Sequence, residues 1–117
     1  MNYRPKVPVA PCRMGSLWEY PIGGDYAFRV PHEEDKIQAM VELGWREFQY
    51  CHERKAPFLL VSHWHGLEHN EGSGYAVHER LLPRILKSGM AEPMNFSQLH
   101  ARYPGPEKSE VGSQKPE

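Results

Sequence analysis

Three histidines and a glutamate within one heptapeptide are the side chains of this sequence best suited to chemistry. The histidines are His63, His65 and His69, with Glu68 between the last two. Side chains two residues apart on a strand share a face, so His63 and His65 converge if the strand continues. Neutral imidazoles and a carboxylate are ordinary zinc ligands, although zinc signatures usually add a helical spacing or a second ligand pair. The segment therefore fits either a small metal site or solvated loop histidines that follow a strand.

Aromatic residues supply a second kind of candidate site. Trp64 follows His63 at the start of a polar segment, where an indole can stack on a sugar ring, wall a pocket or cap the core. Trp18, on the first predicted strand, has the same alternatives. Both tryptophans are therefore candidate carbohydrate contacts.

Other catalytic machinery is not indicated by the sequence. The chain has no GxSxG elbow, no phosphate-binding loop and no dinucleotide fingerprint. Cys51 and His52 do not form a dyad, because adjacent side chains on a helix point apart. The remaining histidines, His78 among them, are expected to have ordinary solvated or half-buried roles.

Alternating strand and helix patterns must position these side chains. Apolar residues at spacings of four, three, four and three predict a helix that opens at Pro31 and stops before Pro57, with the face Ile37, Val41, Gly44, Phe48 and Cys51. A strand over 57–63, a polar loop over 64–74 and a helix around 77–87 follow, and Pro83 either kinks that helix or moves its start to Arg80. Shorter strands are predicted over 16–22 and 90–94, and Asn95 with Gln98 predicts a capped last helix.

This order indicates α/β layering within one small domain. The predicted divisions are an extended lead-in over 1–15, the α/β domain over 16–103 and a disordered tail over 104–117. Three strands and three helices are too few to close a barrel, which needs about 250 residues when complete. The chain is therefore expected to be a portion of a larger fold or a small open sheet.

Composition excludes several classes of function. The 117 residues carry a formal net charge of -1, and no basic stripe of the kind that binds nucleic acid is present. No apolar run approaches the roughly 20 residues of a membrane helix, and no apolar stretch follows Met1 as in a secretory signal. As the chain stands, a cytoplasmic location is expected, whereas two cysteines leave the redox compartment open.

Four segments in order resemble the polysaccharide deacetylases, the NodB-homology group or carbohydrate esterase family 4. They are residues 17–21 (LWEYP), 58–63 (FLLVSH), 81–86 (LLPRIL) and 95–99 (NFSQL). The last three resemble the family's late strand that ends in histidine, the helix after it and its closing segment. The resemblance covers residues 16–103 and implies the C-terminal part of a distorted (β/α) barrel.

The resemblance also implies a function. Members of the family remove acetyl groups from sugars, by amide or ester hydrolysis, with a divalent metal, usually zinc, held by an aspartate and two histidines. By the match, His63 is the acid towards the leaving group, and Leu60 and Trp64 wall the acetyl pocket. An acetylated polysaccharide is the implied partner, with no nucleic acid or membrane, while the oligomeric state stays open.

The sequence departs from the family at the metal. The early Thr-Phe-Asp-Asp segment and the His-x-x-x-His pair do not occur in it, and neither Asp25 nor Asp35 has the family's setting. The base and the three metal ligands are therefore missing, so a truncated reading frame and an inactive chain are expected. The alternatives are a metal module using His63, His65 and His69, or a non-catalytic carbohydrate-binding piece.

Overall fold

The computed structural model describes residues 11–20, 22 and 24–102 of the chain. Its elements, in order, are β1 (Cys12–Met14), β2 (Leu17–Glu19), α1 (Glu34–Glu53), α2 (Trp64–Lys87) and α3 (Phe96–Arg102). Most of the predicted lead-in and all of the predicted tail lie outside the described residues. Within residues 11–20, 22 and 24–102, no helix combines the length and the apolar character needed to cross a bilayer.

The two short strands form an antiparallel hairpin. Arg13 pairs with Trp18, and Gly15 takes a left-handed φ of 63° in the turn, a conformation that glycine adopts without a Cβ penalty. The predicted strand over 16–22 is thus shortened to Leu17–Glu19, and its partner is the preceding segment rather than a later strand.

The α1 helix buries the predicted face: Ile37, Val41, Gly44, Phe48 and Cys51. It begins at Glu34 rather than at Pro31, and Glu34 and Asp35 occupy its first turn, where acidic side chains complement the helix dipole. Its end is closed by Lys55, which has a φ of 55°, so that the N–H of Ala56 reaches back to the Cys51 carbonyl at 2.9 Å.

The α2 helix differs from the prediction over its first part. Residues predicted as a polar loop begin with a helical turn, because the N–H groups of Gly66 and Leu67 donate to the His63 carbonyl at 3.0 and 3.1 Å. A non-helical segment then follows at 69–72, with φ of 54°, 60° and 81° at Asn70, Glu71 and Gly72. Beyond it the helix continues to Lys87 with Pro83 inside, so its regular part does not start at Arg80.

The core lies where α1 packs on α2. Its buried apolar residues are Tyr26, Ala27, Val30, Ile37, Val41, Phe48, Val77, Leu81 and Ile85. Burial of one such aliphatic side chain contributes about 1.5–3 kcal/mol. Gly44 allows the close approach, since a Cβ there would lie 2.6 Å from Leu81 Cδ2.

The later predicted strands are reduced in the structure. Of residues 57–63 only Leu60 pairs, in a parallel bridge with Gly24, and 90–94 has no strand. The cap of α3 is confirmed: the Asn95 N–H donates to Gln98 Oε1 and the Gln98 N–H to Asn95 Oδ1, both at 2.8 Å. The described part of the chain thus holds three helices, one hairpin and one parallel bridge. The partial-barrel fold stays a prediction.

Candidate functional site

An aspartate–histidine pair lies at the end of the bridge between Gly24 and Leu60. His63 Nδ1 lies 2.8 Å from Asp25 Oδ2. The Asp25 side chain is only 13% exposed, whereas that of His63 is 56% exposed. A carboxylate accepts hydrogen bonds, so we assign the ring proton to Nδ1, and Nε2 is the atom left for a ligand.

The carboxylate of Asp25 is held on both oxygens. Its Oδ1 accepts the N–H of Ala27 at 3.0 Å, the local turn bond typical of aspartate. The N–H of Val61 donates to the Gly24 carbonyl at 3.2 Å, which fixes the segment before His63 against the segment before Asp25. The pair is therefore positioned by backbone contacts on both sides.

Two glycines of α2 allow the turn after Asp25 to pack closely. A Cβ on Gly66 would lie 2.6 Å from Phe28 Cδ1, and one on Gly74 would lie 2.7 Å from the Ala27 carbonyl oxygen. Tyr26 in the same turn is buried and donates its hydroxyl to Glu47 on α1. Small residues on α2 thus admit the backbone that carries Asp25.

Aromatic rings surround His63. Phe28 presents an edge-to-face contact to His63 at 5.6 Å between centroids and another to His65 at 5.5 Å. Phe28 is 40% exposed and Trp64 73% exposed. Exposed aromatic surface beside an acid–base pair is suited to contact with the apolar face of a sugar ring.

A second polar pair involves Ser62, the residue before His63. Ser62 Oγ and His78 Nε2 are 2.6 Å apart. Burial lowers the pKa of His78, and the negative charge of Asp25 opposes that shift in part. His78 Nδ1 is buried, and none of the described residues gives it a hydrogen-bond partner. The ring is therefore kept neutral near pH 7.

The structure brings together some of the predicted site residues. His63 and His65 are neighbours, with ring centroids 5.9 Å apart, and Trp64 lies between them in sequence. Leu60 is half-buried in the parallel bridge with Gly24, in the segment that leads to His63. Trp18 is half-buried on β2; the hairpin's end, at Tyr20, contacts α3 through a hydrogen bond of 3.0 Å to His100.

The predicted metal ligands are placed less favourably. His69 lies at the start of the non-helical segment of α2, with a ψ of 149°, and its carbonyl accepts the Ser73 hydroxyl at 3.4 Å. In the part of the chain that the structure describes, no three His, Cys, Asp or Glu side chains are grouped so that they could hold a metal ion. The His63, His65 and His69 alternative therefore has no arranged ligand set to support it.

Two other features do not contribute to this site. Burial raises the pKa of Cys51 to about 11, so this thiol stays protonated and is a poor nucleophile. A groove of about 1040 Å³ lies between the ends of α1 and α2 and the segment that leads into α3. Its lining includes Phe58, Met90 and Phe96 but neither His63 nor His78.

Three partners of the site were not identified from the sequence: Asp25, Phe28 and Ser62, with His78 treated there as ordinary. Asp25 is 38 residues from His63, and Ser62 is 16 residues from His78. One signal was available, since an aspartate after Gly23 and Gly24 is a turn residue whose carboxylate stays near its own backbone.

Comparison with known proteins gives no relative for this arrangement. The chain matches no family model, no curated protein and no solved structure. The resemblance to polysaccharide deacetylases is thus carried only by the four segments quoted above, and it stays a prediction.

Proposed function

We propose that this chain carries the proton-donating part of a deacetylase-type hydrolytic site, with His63 as general acid and Asp25 as the carboxylate that orients it. The observation that carries the proposal is the 2.8 Å contact between His63 Nδ1 and Asp25 Oδ2. An imidazole whose Nδ1 is held by a carboxylate presents Nε2 in a fixed direction. Once Nε2 is protonated as well, such a ring can give that proton to the amine or alcohol that leaves an acetyl group and return to the neutral form.

The substrate class follows from the resemblance and is compatible with the surface around His63. The resemblance implies an acetylated sugar polymer, in which apolar sugar faces alternate with polar edges. Trp64 and Phe28 are exposed next to His63 and offer rings on which such a face can stack. Leu60 is proposed to contact the acetyl methyl group, whereas Trp18 on the hairpin is a candidate contact for a more distant sugar.

The metal of the family does not fit the described residues. Asp25 already binds Ala27 N–H with one oxygen and His63 with the other. No group of three potential ligands occurs among residues 11–20, 22 and 24–102. We therefore derive no step through a metal, and we expect this chain alone to release no acetate from chitooligosaccharides.

Binding is the first test of the proposal. Chitotetraose is titrated into the isotope-labelled protein, and the ring signals of His63 and the indole signal of Trp64 are followed by NMR. We expect both to shift in a saturable way, and the fully deacetylated oligomer to cause smaller shifts. Absence of any shift at millimolar sugar would overturn the substrate class.

Matched variants separate the roles of the residues. Trp64→Ala is expected to weaken binding about 2–13-fold, as for a lost aromatic contact worth about 0.5–1.5 kcal/mol. Trp18→Ala is the comparison, and a larger loss there would favour a non-catalytic binding surface on the hairpin. In Asp25→Asn the His63 ring is expected to populate the Nε2–H tautomer, which the ¹⁵N shifts of the ring report.

The metal-module alternative has one observation in its favour, the 5.9 Å separation of the His63 and His65 ring centroids. Zinc added at a small excess would then raise the melting temperature, a chelator would reverse the effect, and His65→Ala would abolish it. A melting temperature unchanged by zinc excludes the module and leaves the acid–base proposal intact.

A further inference from the structure

The contact between Ser62 and His78 has the geometry of a nucleophile and its base. Ser62 Oγ lies 2.6 Å from His78 Nε2, which is at the short end of hydrogen bonds that involve a hydroxyl. Ser62 is exposed, so a substrate can reach its oxygen, whereas His78 is half-buried on α2. The hydrogen bond spans 16 residues and joins the end of the 58–63 segment to α2.

We propose that Ser62 is an acyl-accepting nucleophile, with His78 as its general base, and that this pair transfers acetyl groups from activated esters without a metal. This function is additional to the proton-donating role of His63.

In the first step of the proposed reaction, Ser62 Oγ forms a bond to the acyl carbon while its proton passes to His78 Nε2. The carbon–oxygen bond to the leaving group then breaks, and the leaving oxygen departs as phenolate or takes the proton from His78. Once His78 has lost its proton to the leaving oxygen or to solvent, it accepts a proton from water as the water oxygen bonds to the acyl carbon. The bond from that carbon to Ser62 Oγ then breaks, Oγ takes the proton back from His78, and acetate leaves.

The surroundings of His78 favour the base form of the ring. Because burial lowers the pKa of His78, the imidazole is neutral near pH 7 and its nitrogen is free to accept a proton. The charge of Asp25 acts in the opposite direction and favours the imidazolium once it forms. The Asp25 carboxylate therefore acts on both histidines: it contacts the His63 ring directly, and its negative charge acts on the His78 ring from a distance.

The surroundings of His78 also limit which acyl compounds can react with Ser62. For Nε2 to accept the serine proton, Nδ1 must carry the other hydrogen, and this buried nitrogen has no acceptor among the described residues. An N–H left unsatisfied makes the base weaker than that of a full catalytic triad. We therefore expect acyl transfer from esters with good leaving groups, such as p-nitrophenyl acetate, and not from unactivated amides.

The test uses p-nitrophenyl acetate with the full chain at pH 7.5. We expect p-nitrophenol release above the buffer rate, and a brief reaction quenched in acid should add the mass of one acetyl group, mapped to the peptide that contains Ser62. Ser62→Ala should lose this adduct, and His78→Gln should slow its formation by about 10²–10⁴-fold. Ser88→Ala is the matched control, because Ser88 lies at the C-terminal end of α2, where its hydroxyl donates to the Ile85 carbonyl at 2.6 Å.

The outcomes decide the proposal in either direction. An adduct on Ser62 that needs His78 supports it, as does faster acylation of Ser62→Cys, which retains a nucleophile if Ser62→Ala is poorly folded. An adduct found on another residue, an adduct rate unchanged in His78→Gln, or no adduct at all overturns it. Because none of these readouts depends on sugar binding, failure here leaves the His63 proposal to its own test.

Discussion

The interface between α1 and α2 and the surface around His63 are stabilised in different ways. In the interface, interdigitated aliphatic side chains such as Val41 and Leu81 are fully buried. Arg84 covers its edge, 2.9 Å from Glu42 Oε2 and 4.4 Å above the Trp45 ring. Many weak van der Waals contacts together stabilise such an interface, so no single contact determines its stability.

The surface around His63 depends instead on close backbone approach. The turn that follows Asp25 lies against Gly66 and Gly74, where a Cβ would meet backbone or ring atoms at 2.6–2.7 Å. The surface around His63 has few hydrogen bonds, and much of this surface is exposed to solvent. A helix pair can thus be stable while the residues suited to chemistry lie on irregular segments at its end. Loss of one backbone contact should disturb the site more than it disturbs the core.

The largest expected effect is on the core side of this comparison. Leu81→Ala removes a side chain that is 0% exposed, and we expect it to lower the free energy of unfolding by about 2–5 kcal/mol. Urea denaturation followed by circular dichroism measures this loss. Leu82→Ala is the control, since Leu82 is 41% exposed and should change stability by much less. Equal losses for both variants would show that the α1–α2 contact is not the core.

A second variant tests the backbone contact at the site. In Gly74→Ala the new Cβ would meet the Ala27 carbonyl oxygen at 2.7 Å and Leu67 Cα at 2.8 Å. Both are backbone positions, so the turn must move, and we expect a loss of about 1–3 kcal/mol in unfolding free energy. The ¹⁵N signature of the His63–Asp25 pair should be lost as well.

Gly44→Ala is the matched substitution on the core side. There the closest atom is Leu81 Cδ2, the end of a side chain, and alanine raises helix propensity by about 1 kcal/mol. The His63 signals should be unchanged in this variant. If Gly44→Ala alters them and Gly74→Ala does not, the dependence of the site on backbone approach is refuted.

The difference between the two regions also explains what the sequence could predict. The face of α1 from Ile37 to Cys51 follows from helical periodicity, and the cap at Asn95 follows from local side-chain chemistry; both are confirmed. The 57–63 segment is apolar enough for a strand, yet only Leu60 finds a partner in the described residues. Periodicity reports burial, whereas strand pairing also needs a neighbour, which a single segment does not specify.

The site was predictable only in part, for a related reason. His63 and Trp64 were identified because they stand out locally, after an apolar run. Asp25 and His78 depend on contacts across 38 and 16 residues, which residue type and spacing do not reveal. The helical turn after His63 was also missed, because the glycines there predict a loop. Two of them, Gly66 and Gly74, instead allow the turn that carries Asp25 to pack closely, so their role is set by tertiary packing.

A third prediction concerns the non-helical segment of α2. Asn70 has a φ of 54°, and its Nδ2 donates to the Val30 carbonyl at 2.8 Å. Asn70→Ala loses this hydrogen bond and places alanine in a left-handed conformation, so we expect a loss of about 1–2 kcal/mol. Asn70→Gly loses the bond but adopts the backbone freely, and its loss should be smaller. The reverse order of the two variants would mean that backbone conformation does not govern this segment.

The smallest expected effect is a dependence of stability on pH that originates at His78. Burial lowers the pKa of this histidine in the folded chain from its ordinary value of 6.5. Between the folded and the unfolded pKa of His78, the unfolded chain therefore binds more protons than the folded chain. The contribution of His78 to stability is thus complete above about pH 6.5 and declines as the pH falls.

The measurement is the urea midpoint at pH 8 and pH 5.5, compared between the wild type and His78→Gln, whose amide can still bind Ser62. The wild type should lose more stability on acidification than the variant, because only the wild type must keep a buried imidazole neutral. Equal losses would mean that His78 is as well hydrated as a surface histidine, and the burial that links it to Ser62 and Asp25 would then be wrong.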